Sequence, residues 1–185
     1  NPVLDPFARN TLAVRGGKYE QIHDAFTSRY GDFYLAFYQY QHHGEKLDVE
    51  LAASRDGENF FFVNPGSKLI QPGGKESFDC DMVTASPLLV DGDEIRIYYG
   101  GICGDFGGAG LARLRLDGFT HLEPKSGRKE GNLTTIPITR GTASELFVNV
   151  DATDQSRISI ELLDAATDRP IPGWSLNEAI PVTGN

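Results

Sequence analysis

Acidic side chains stand directly before a predicted strand, where they could do acid–base chemistry or bind hydroxyl groups. Asp79 and Asp81 lie two residues apart in the segment SFDCDM. Two carboxyl groups that face one pocket can act as general acid and general base. The same residues could instead form a solvated acidic loop or accept hydrogen bonds from backbone N–H groups. Both interpretations stay open on the sequence alone.

Histidines provide a second group of candidates. His23-Asp24 precedes another predicted strand, and such a pair can orient a hydroxyl group or hold a cation. His42 and His43 follow Tyr40, and these rings could stack on a ligand ring. Because adjacent strand residues point to opposite faces, the two histidines cannot both serve one site. No further ligand accompanies His23 and Asp24, so we expect no metal and no organic cofactor.

Reactive residue types also meet in the segment SRDG, which begins at Ser54. No histidine stands at a motif spacing from this serine, so a serine-hydrolase site has no support. Asp56-Gly57 has a copy later in the chain, at Asp117-Gly118. Aspartate and glycine favour tight turns, since Asp bonds nearby backbone and Gly tolerates positive φ. We therefore predict that both pairs are structural turns.

These candidates are positioned by strands, because glycine and aromatic residues are frequent and helical periodicity is weak. The all-β chain contains an internal repeat, with GDFYLAFY at Gly31 matched by GDEIRIYY at Gly92, the same interval that separates the two Asp-Gly pairs. Each copy predicts a four-stranded antiparallel unit. The predicted strands are 25–28, 33–40, 47–53 and 59–63, then 83–90, 94–99, 110–116 and 119–122. Tandem units of this kind are typical of propeller blades, although two meanders can also be alike by chance.

The second repeat contains a possible cross-link. The DG pair at 91–92 suits a two-residue hairpin turn, which would pair Val90 with Asp93. In that register Cys80 faces Cys103. The sequence thus allows either a disulfide at the base of the hairpin or two reduced thiols on separated strands.

The pattern changes after residue 124. A polar, glycine-bearing linker at 125–131 separates the two predicted blades, residues 1–124, from alternating segments at 132–185. Alternation of apolar and polar residues predicts a partial β-sandwich there. We expect the single tryptophan, Trp174, to pack in its core rather than to form an exposed sugar platform.

Charge and hydropathy exclude some partners. The formal net charge of −9 argues against a nucleic-acid partner, since phosphate binding needs clustered Lys and Arg. No apolar run approaches the length of a membrane span, so we expect no membrane segment. The cellular location is not determined by these features; a secreted or periplasmic one is favoured.

Several segments, in this order, resemble the later blades of the five-bladed β-propeller glycoside hydrolase clan, which includes invertase-like β-fructosidases and arabinanases. The segments are LAASRDG (51–57), SFD (77–79), IRIYYGG (95–101), GLA (110–112) and LDGF (116–119), then GNLTT (131–135), LFVNV (146–150) and PIPGW (170–174). The last three resemble the C-terminal β-sandwich that follows such propellers. The resemblance implies a carbohydrate ligand, no organic cofactor, and a structural role for Asp79.

The resemblance also implies that blades are missing. In this clan the catalytic carboxylates lie mainly on earlier blades, so no catalytic residue can be assigned, and whether this chain is an enzyme stays open. We expect part of a glycosidase-like protein acting on or binding fructan- or arabinan-type glycosides. The alternative is a non-catalytic sugar-binding or assembly module. In either case another chain or self-association would complete the open sheets.

Overall fold

The computed structural model describes residues 21–42, 46–139, 141–142, 145–150, 153 and 155–183. These residues contain β-strands and no helix, which confirms the predicted all-β class. The described chain accordingly has no helix that is long and apolar enough to cross a membrane. The chain divides into two compact units, Asn1–His121 and Leu122–Asn185. The strands are β1 Gln21–Tyr30, β2 Phe33–Gln41, β3 Leu47–Ser54, β4 Phe61–Phe62, β5 Met82–Ala85, β6 Leu89–Asp91, β7 Glu94–Cys103 and β8 Phe106–Arg115.

The first repeat is an antiparallel meander in the order β1-β2-β3-β4. Gly31-Asp32 forms a two-residue turn between Tyr30 and Phe33, which are paired, and Gly31 has a φ of 55°. Pairing of β2 with β3 is continuous from Tyr34 opposite Ser54 down to Gln41 opposite Leu47. The first predicted unit therefore has the four strands that its sequence indicates.

The second repeat follows the first with the interval that separates Gly92 from Gly31. This interval relates the starts of β5 and β1 and the starts of β7 and β2. It also relates the ends of β6 and β1 and the ends of β8 and β3. β5 and β6 both pair with β7, which pairs with β8 along its whole length. A single parallel pairing, Leu47 with Met82, joins the two repeats into one sheet.

Three details of the second repeat differ from the prediction. Residues 86–88 interrupt the first strand. The hairpin turn is Gly92-Asp93, with Asp91 opposite Glu94, so the predicted register is shifted. The fourth strand at 119–122 is not formed, because the chain turns at 116–119. The Phe119 ring packs instead against the Tyr30 ring, with centroids 5.2 Å apart.

The core lies on both faces of β2 and β3. One face packs Phe37, Val49 and Leu51 against Val83 and Ile97 of the second repeat. The opposite face carries a second cluster that includes Tyr38, Tyr40, Ala52 and Phe60. Alternate residues of a strand point to opposite faces, so burial on both sides makes these two strands apolar almost throughout.

The second unit does not form the predicted sandwich strands among its described residues. Its ladders are the isolated bridges Ile158 with Val182 and Leu163 with Pro170. Trp174 is 55% exposed, so the prediction of a core tryptophan is wrong. A segment of this size cannot bury much apolar surface without an opposing sheet. Apolar side chains left exposed include Leu133, Ile136, Ile138, Leu146, Phe147 and Ile180.

Candidate functional site

One edge of the sheet collects most of the polar candidates. β1, β3 and β5 begin there, and β2 and β7 end there, as the pairings of Gln21 with Gln41, Gln41 with Leu47, and Met82 with Ile102 establish. We call it the strand-start edge. Antiparallel meanders with short turns bring these strand ends together from segments that lie far apart in sequence.

The innermost charges at this edge are Asp48 and Glu50, both of which have no exposed surface. They are two residues apart in β3 and therefore lie on the same face. Their cross-strand partners in β2 are Tyr40 and Tyr38. Burying a carboxylate is costly unless it is paired and hydrogen-bonded, so the contacts of these two groups matter.

The contacts of Glu50 come from three directions. The Tyr38 hydroxyl donates to Glu50 Oε2 at 2.7 Å, and the backbone N–H of Gly66 donates to the same oxygen at 3.0 Å. His42 Nε2 lies 3.3 Å from Glu50 Oε1. The loop that follows β4 thus folds over the carboxylate and closes it from solvent.

Asp48 is contacted by two nitrogen-bearing side chains. Lys68 Nζ lies 3.0 Å from Asp48 Oδ2, and His42 Nε2 lies 3.1 Å from the same oxygen. The lysine comes from the same loop as Gly66, and its side chain is 43% exposed. His42 therefore stands between two buried carboxylates, with one ring nitrogen close to both. We call His42, Asp48 and Glu50 the His–carboxylate cluster.

Tyr40 was expected to contact a ligand, but its side chain is fully buried. Its ring meets His42 edge-on, with centroids 4.7 Å apart and planes at 79°. No ring face of Tyr40 is therefore available for a sugar, which corrects that expectation. His42 keeps partial exposure, with 23% of its side chain accessible. His43 lies outside the described residues.

His23 and Asp24 are both exposed at the start of β1, beside an irregularity in its pairing with β2. His23 Nε2 lies 3.4 Å from Gln41 Oε1. The Thr84 hydroxyl of β5 is 3.4 Å from Asp24 Oδ2, a long contact. Both side chains are accessible to a ligand at the strand-start edge.

Asp79 is buried and has a structural role. Its carboxylate accepts hydrogen bonds from the Ser77 hydroxyl and, at 3.0 Å, from the Tyr99 hydroxyl. The bond from Ser77, with help from Tyr99, lowers the pKa of Asp79 although burial opposes this. Burial, together with the bond to Asp79, raises the pKa of Tyr99. Asp79 is therefore held ionised inside the loop that precedes β5.

Asp81 is the exposed member of the same acidic pair. Its Oδ2 accepts a hydrogen bond from the backbone N–H of Gly104 at 2.7 Å. Beside it, Cys80 and Cys103 form a disulfide with a Cα–Cα distance of 4.8 Å. The disulfide connects the segment before β5 to the end of β7 and fixes Asp81 at the strand-start edge.

The two predicted turns are formed by different bonds. Asp56 Oδ1 accepts hydrogen bonds from the backbone N–H groups of Glu58 and Asn59, at 2.9 and 2.7 Å. Gly57 has a φ of 79°. In the second repeat Asp117 has a φ of 58°, the N–H of Gly118 donates to Arg115, and Asp117 Oδ1 accepts from the Tyr30 hydroxyl at 2.6 Å.

The sequence analysis missed Asp48, Glu50 and Lys68. The available signal was the segment LDVELAAS, in which two carboxylates two residues apart interrupt an apolar strand. Polar residues that share one face of an otherwise buried strand require partners. Those partners, Lys68 and Gly66, lie in a loop whose path the sequence pattern does not reveal.

Comparisons with known proteins give limited similarity. No protein-family model matches the chain, and no curated protein matches it. Among solved structures, one described as "Glycoside hydrolase" aligns over 61% of this chain with 19% identity and a TM-score of 0.43. Another, described as a complex of BT0996 and RGII, aligns over 55% with 20% identity and a TM-score of 0.44. The chain spans 31% and 29% of the length of these two proteins.

Proposed function

We propose that this chain is part of a carbohydrate-active protein that binds or hydrolyses glycosides of the fructan or arabinan type at the strand-start edge. The observation that carries the proposal is the His42 imidazole, held between two buried carboxylates on an edge that also exposes His23, Asp24 and Asp81. Sugars present hydroxyl groups, which both donate and accept hydrogen bonds. Exposed carboxylates and imidazoles complement them without any net positive charge.

The sequence resemblance adds support for the ligand class. The segments that resemble propeller glycosidases include both the SRDG turn and the SFD loop. Asp56 and Asp79 in these segments hold backbone or neighbouring side chains in place. Their structural roles leave Asp81, His23 and His42 as the polar groups open to a ligand.

Hydrolysis would need carboxyl groups that reach the glycosidic bond. Glycosidases place two such groups about 5–10 Å apart across the substrate. Asp48 and Glu50 each have an oxygen within 4.8 Å of the other, but neither has exposed surface. We therefore assign ligand binding to this chain and assign hydrolysis to additional blades, if the full protein is an enzyme.

The second candidate is a non-catalytic sugar-binding or assembly module that another chain completes. The observation in its favour is the exposed apolar surface of the second repeat, where Phe106 is 78% and Val90 is 54% exposed. Apolar groups of this size at strand ends and sheet edges are normally covered. Native mass measurement separates the cases: a complex would support the module, and a monodisperse single chain would oppose it.

The proposal is tested by titrating the chain with oligosaccharides from inulin, levan and arabinan, using calorimetry or NMR line shifts. We expect one of the three to bind, and Asp81→Asn to weaken binding about tenfold, the effect of losing one hydrogen bond to a charged group. Asp32→Asn, in the turn at the opposite edge, is the matched control and should bind normally. Absence of binding to all three, or equal effects of both variants, would overturn the proposal.

A further inference from the structure

The His–carboxylate cluster has an unbalanced charge. Two carboxylates, Asp48 and Glu50, are fully buried, whereas the permanent cation recorded beside them in the described part of the chain is one ammonium, that of Lys68. With His42 neutral, these four side chains together carry one net negative charge. Uncompensated buried charge is strongly unfavourable, so this position attracts a further cation, either a proton on the imidazole or a metal ion.

The bonding of Asp48 supports a missing cation. Its Oδ2 is buried and accepts no hydrogen bond of acceptable geometry from the described residues, even though Lys68 Nζ and His42 Nε2 are 3.0 and 3.1 Å away. Buried polar atoms of this kind are rare in folded proteins and call for an explanation such as an ion. The two nitrogens are close enough to offset the charge but are not directed at the lone pairs of the oxygen.

The distances within the cluster match those between ligands of one small metal ion. His42 Nε2 lies 3.1 Å from Asp48 Oδ2 and 3.3 Å from Glu50 Oε1. Ligand atoms at about 2.0–2.1 Å from a tetrahedral Zn²⁺ are separated from each other by about 3.3 Å. One donor atom from each of the three side chains lies within 4.8 Å of the other two. Such a site needs little rearrangement to admit an ion.

We propose that the His–carboxylate cluster binds a divalent transition-metal ion of the Zn²⁺ class, through His42 Nε2 and one carboxylate oxygen each from Asp48 and Glu50. An imidazole ligand with only two carboxylates suits Zn²⁺ better than Ca²⁺, which takes six to eight oxygen ligands. Three protein ligands leave one position for water or a ligand hydroxyl. The inference does not depend on the proposed carbohydrate function, and it replaces the expectation of no metal.

Lys68 is the competitor of the metal in this arrangement. Its ammonium contacts Asp48 Oδ2, the same oxygen that would bind the ion. The lysine side chain is 43% exposed and can move into solvent without burying its charge. Removing the ammonium should therefore increase metal affinity, whereas in a purely structural ion network it would only remove a stabilising contact.

A second group of potential ligands must be controlled in the test. Cys80, Asp81 and Cys103 also lie close together, but the two sulfurs are joined in the disulfide and cannot act as thiolate ligands. Reduction would create two thiols that bind Zn²⁺. Metal titrations therefore use the untagged full chain with its disulfide intact and without reducing agent.

The experiment is a Zn²⁺ titration in competition with a chromophoric chelator, followed by a Co²⁺ absorption spectrum. We expect one equivalent to bind and His42→Ala and Glu50→Gln to weaken binding more than the roughly 10–100-fold that outer-shell contacts contribute. Lys68→Met should tighten binding about tenfold. His23→Gln, which removes an exposed histidine of the same edge, is the matched control and should leave affinity unchanged.

Circular dichroism without metal verifies that each variant is folded, and Glu50→Gln serves if His42→Ala is not. The proposal is overturned if the oxidised chain binds no Zn²⁺, if His23→Gln weakens binding as much as Glu50→Gln does, or if Lys68→Met leaves affinity unchanged. Binding of a proton alone, seen as an NMR titration of His42 that Zn²⁺ does not alter, would equally reject it.

Discussion

Asp56 is the residue on which the first-repeat turn depends. Besides its two backbone bonds, its Oδ2 accepts from the Asn59 side chain at 2.7 Å, and its Oδ1 accepts from the Ser54 hydroxyl at 2.8 Å. Arg55 takes no part in this group, since its guanidinium lies over the Phe33 ring at 4.4 Å. What could have been a reactive triplet is a turn, because every polar contact of Asp56 closes back on its own loop.

Asp56→Asn is expected to change how stability depends on acid. The bonds from Asn59, then Glu58 and Ser54, hold the pKa of Asp56 well below the ordinary value of 3.8. A carboxyl whose folded pKa is depressed stabilises the fold above the unfolded pKa, and that contribution is lost as pH falls below it. Urea midpoints should therefore be higher for the natural chain than for the variant at pH 6 and should converge toward pH 2.

Asp105→Asn is the matched control for that experiment. Asp105 is exposed in the turn between β7 and β8, so its variant should follow the natural chain at every pH. A constant difference between the natural chain and Asp56→Asn from pH 6 to pH 2 would contradict the account, because it would mean that the charge of Asp56 contributes nothing.

At this scale the sequence was informative where bonding is local. Asp56 and Gly57 satisfy a turn within one short segment, so an Asp-Gly pair is enough to predict it. Asp117-Gly118 has the same letters, yet its carboxylate bonds to Tyr30 in the first repeat. The partner of that bond, like those of Asp48 and Glu50, is set by packing between distant segments, which no local pattern encodes.

At the scale of elements, the glycines of β7 and β8 allow the loop before β5 to pack closely. Gly101 and Gly108 are paired across the two strands. A Cβ on Gly108 would lie 2.9 Å from the Phe78 ring, and one on Gly101 would lie 3.0 Å from the same ring. The glycine-rich segment after Gly104, which resembles a flexible loop in sequence, is for this reason a strand with a side chain packed on it.

Gly101→Ala is expected to destabilise the first unit by about 1–3 kcal/mol, the usual cost of overpacking a close-packed site. The added methyl would overlap Asp79 Cβ and lie 2.9 Å from Asp79 Cα, which belongs to the backbone and cannot rotate away. Gly74→Ala is the matched control, since nothing lies within 4 Å of a Cβ there. Urea unfolding would refute the packing argument if the two variants were equally stable.

The disulfide is the second element-scale test. It closes a segment with a sequence separation of 23, and the loop-entropy model gives about 3 kcal/mol for a loop of that length. The double variant Cys80→Ser, Cys103→Ser should therefore lose about that much stability in thermal unfolding. The natural chain under reducing conditions should match it. If the reduced chain is as stable as the oxidised one, the cross-link does not constrain the unfolded state.

The repeat predicted the elements better than their registers. The constant interval between the two copies locates the limits of both meanders, because similar strands need similar lengths to pair. The register failed because residues 86–88 interrupt the first strand. Val90 therefore pairs with Ile95 in β6–β7, whereas Val83 pairs with Gly101 in β5–β7, one position away from the β6–β7 register. Cys80 and Cys103 come together beyond the last pair of that shifted ladder.

At the scale of the whole molecule, the two units differ in how far each satisfies its own apolar residues. Both core clusters and all named strands lie in Asn1–His121. In Leu122–Asn185, Phe147 is 83% exposed and Ile180 is 92% exposed. Alternating segments in this unit correctly indicate side chains that need an apolar neighbour. They do not reveal where that neighbour comes from, so a sandwich predicted from alternation alone lacked its opposing sheet.

This difference predicts that a chain ending at residue 121 folds cooperatively and binds less of the apolar dye ANS than the full chain does. The truncated chain keeps both core clusters and the disulfide, whereas the residues it loses contribute exposed apolar surface. Urea unfolding followed by circular dichroism gives cooperativity, and dye fluorescence at equal molar concentration gives exposure. The full chain carrying Phe147→Ser and Ile180→Ser is the control and should show intermediate fluorescence. A truncated chain that is unfolded, or that binds as much dye as the full chain, would mean that the second unit covers apolar surface of the first.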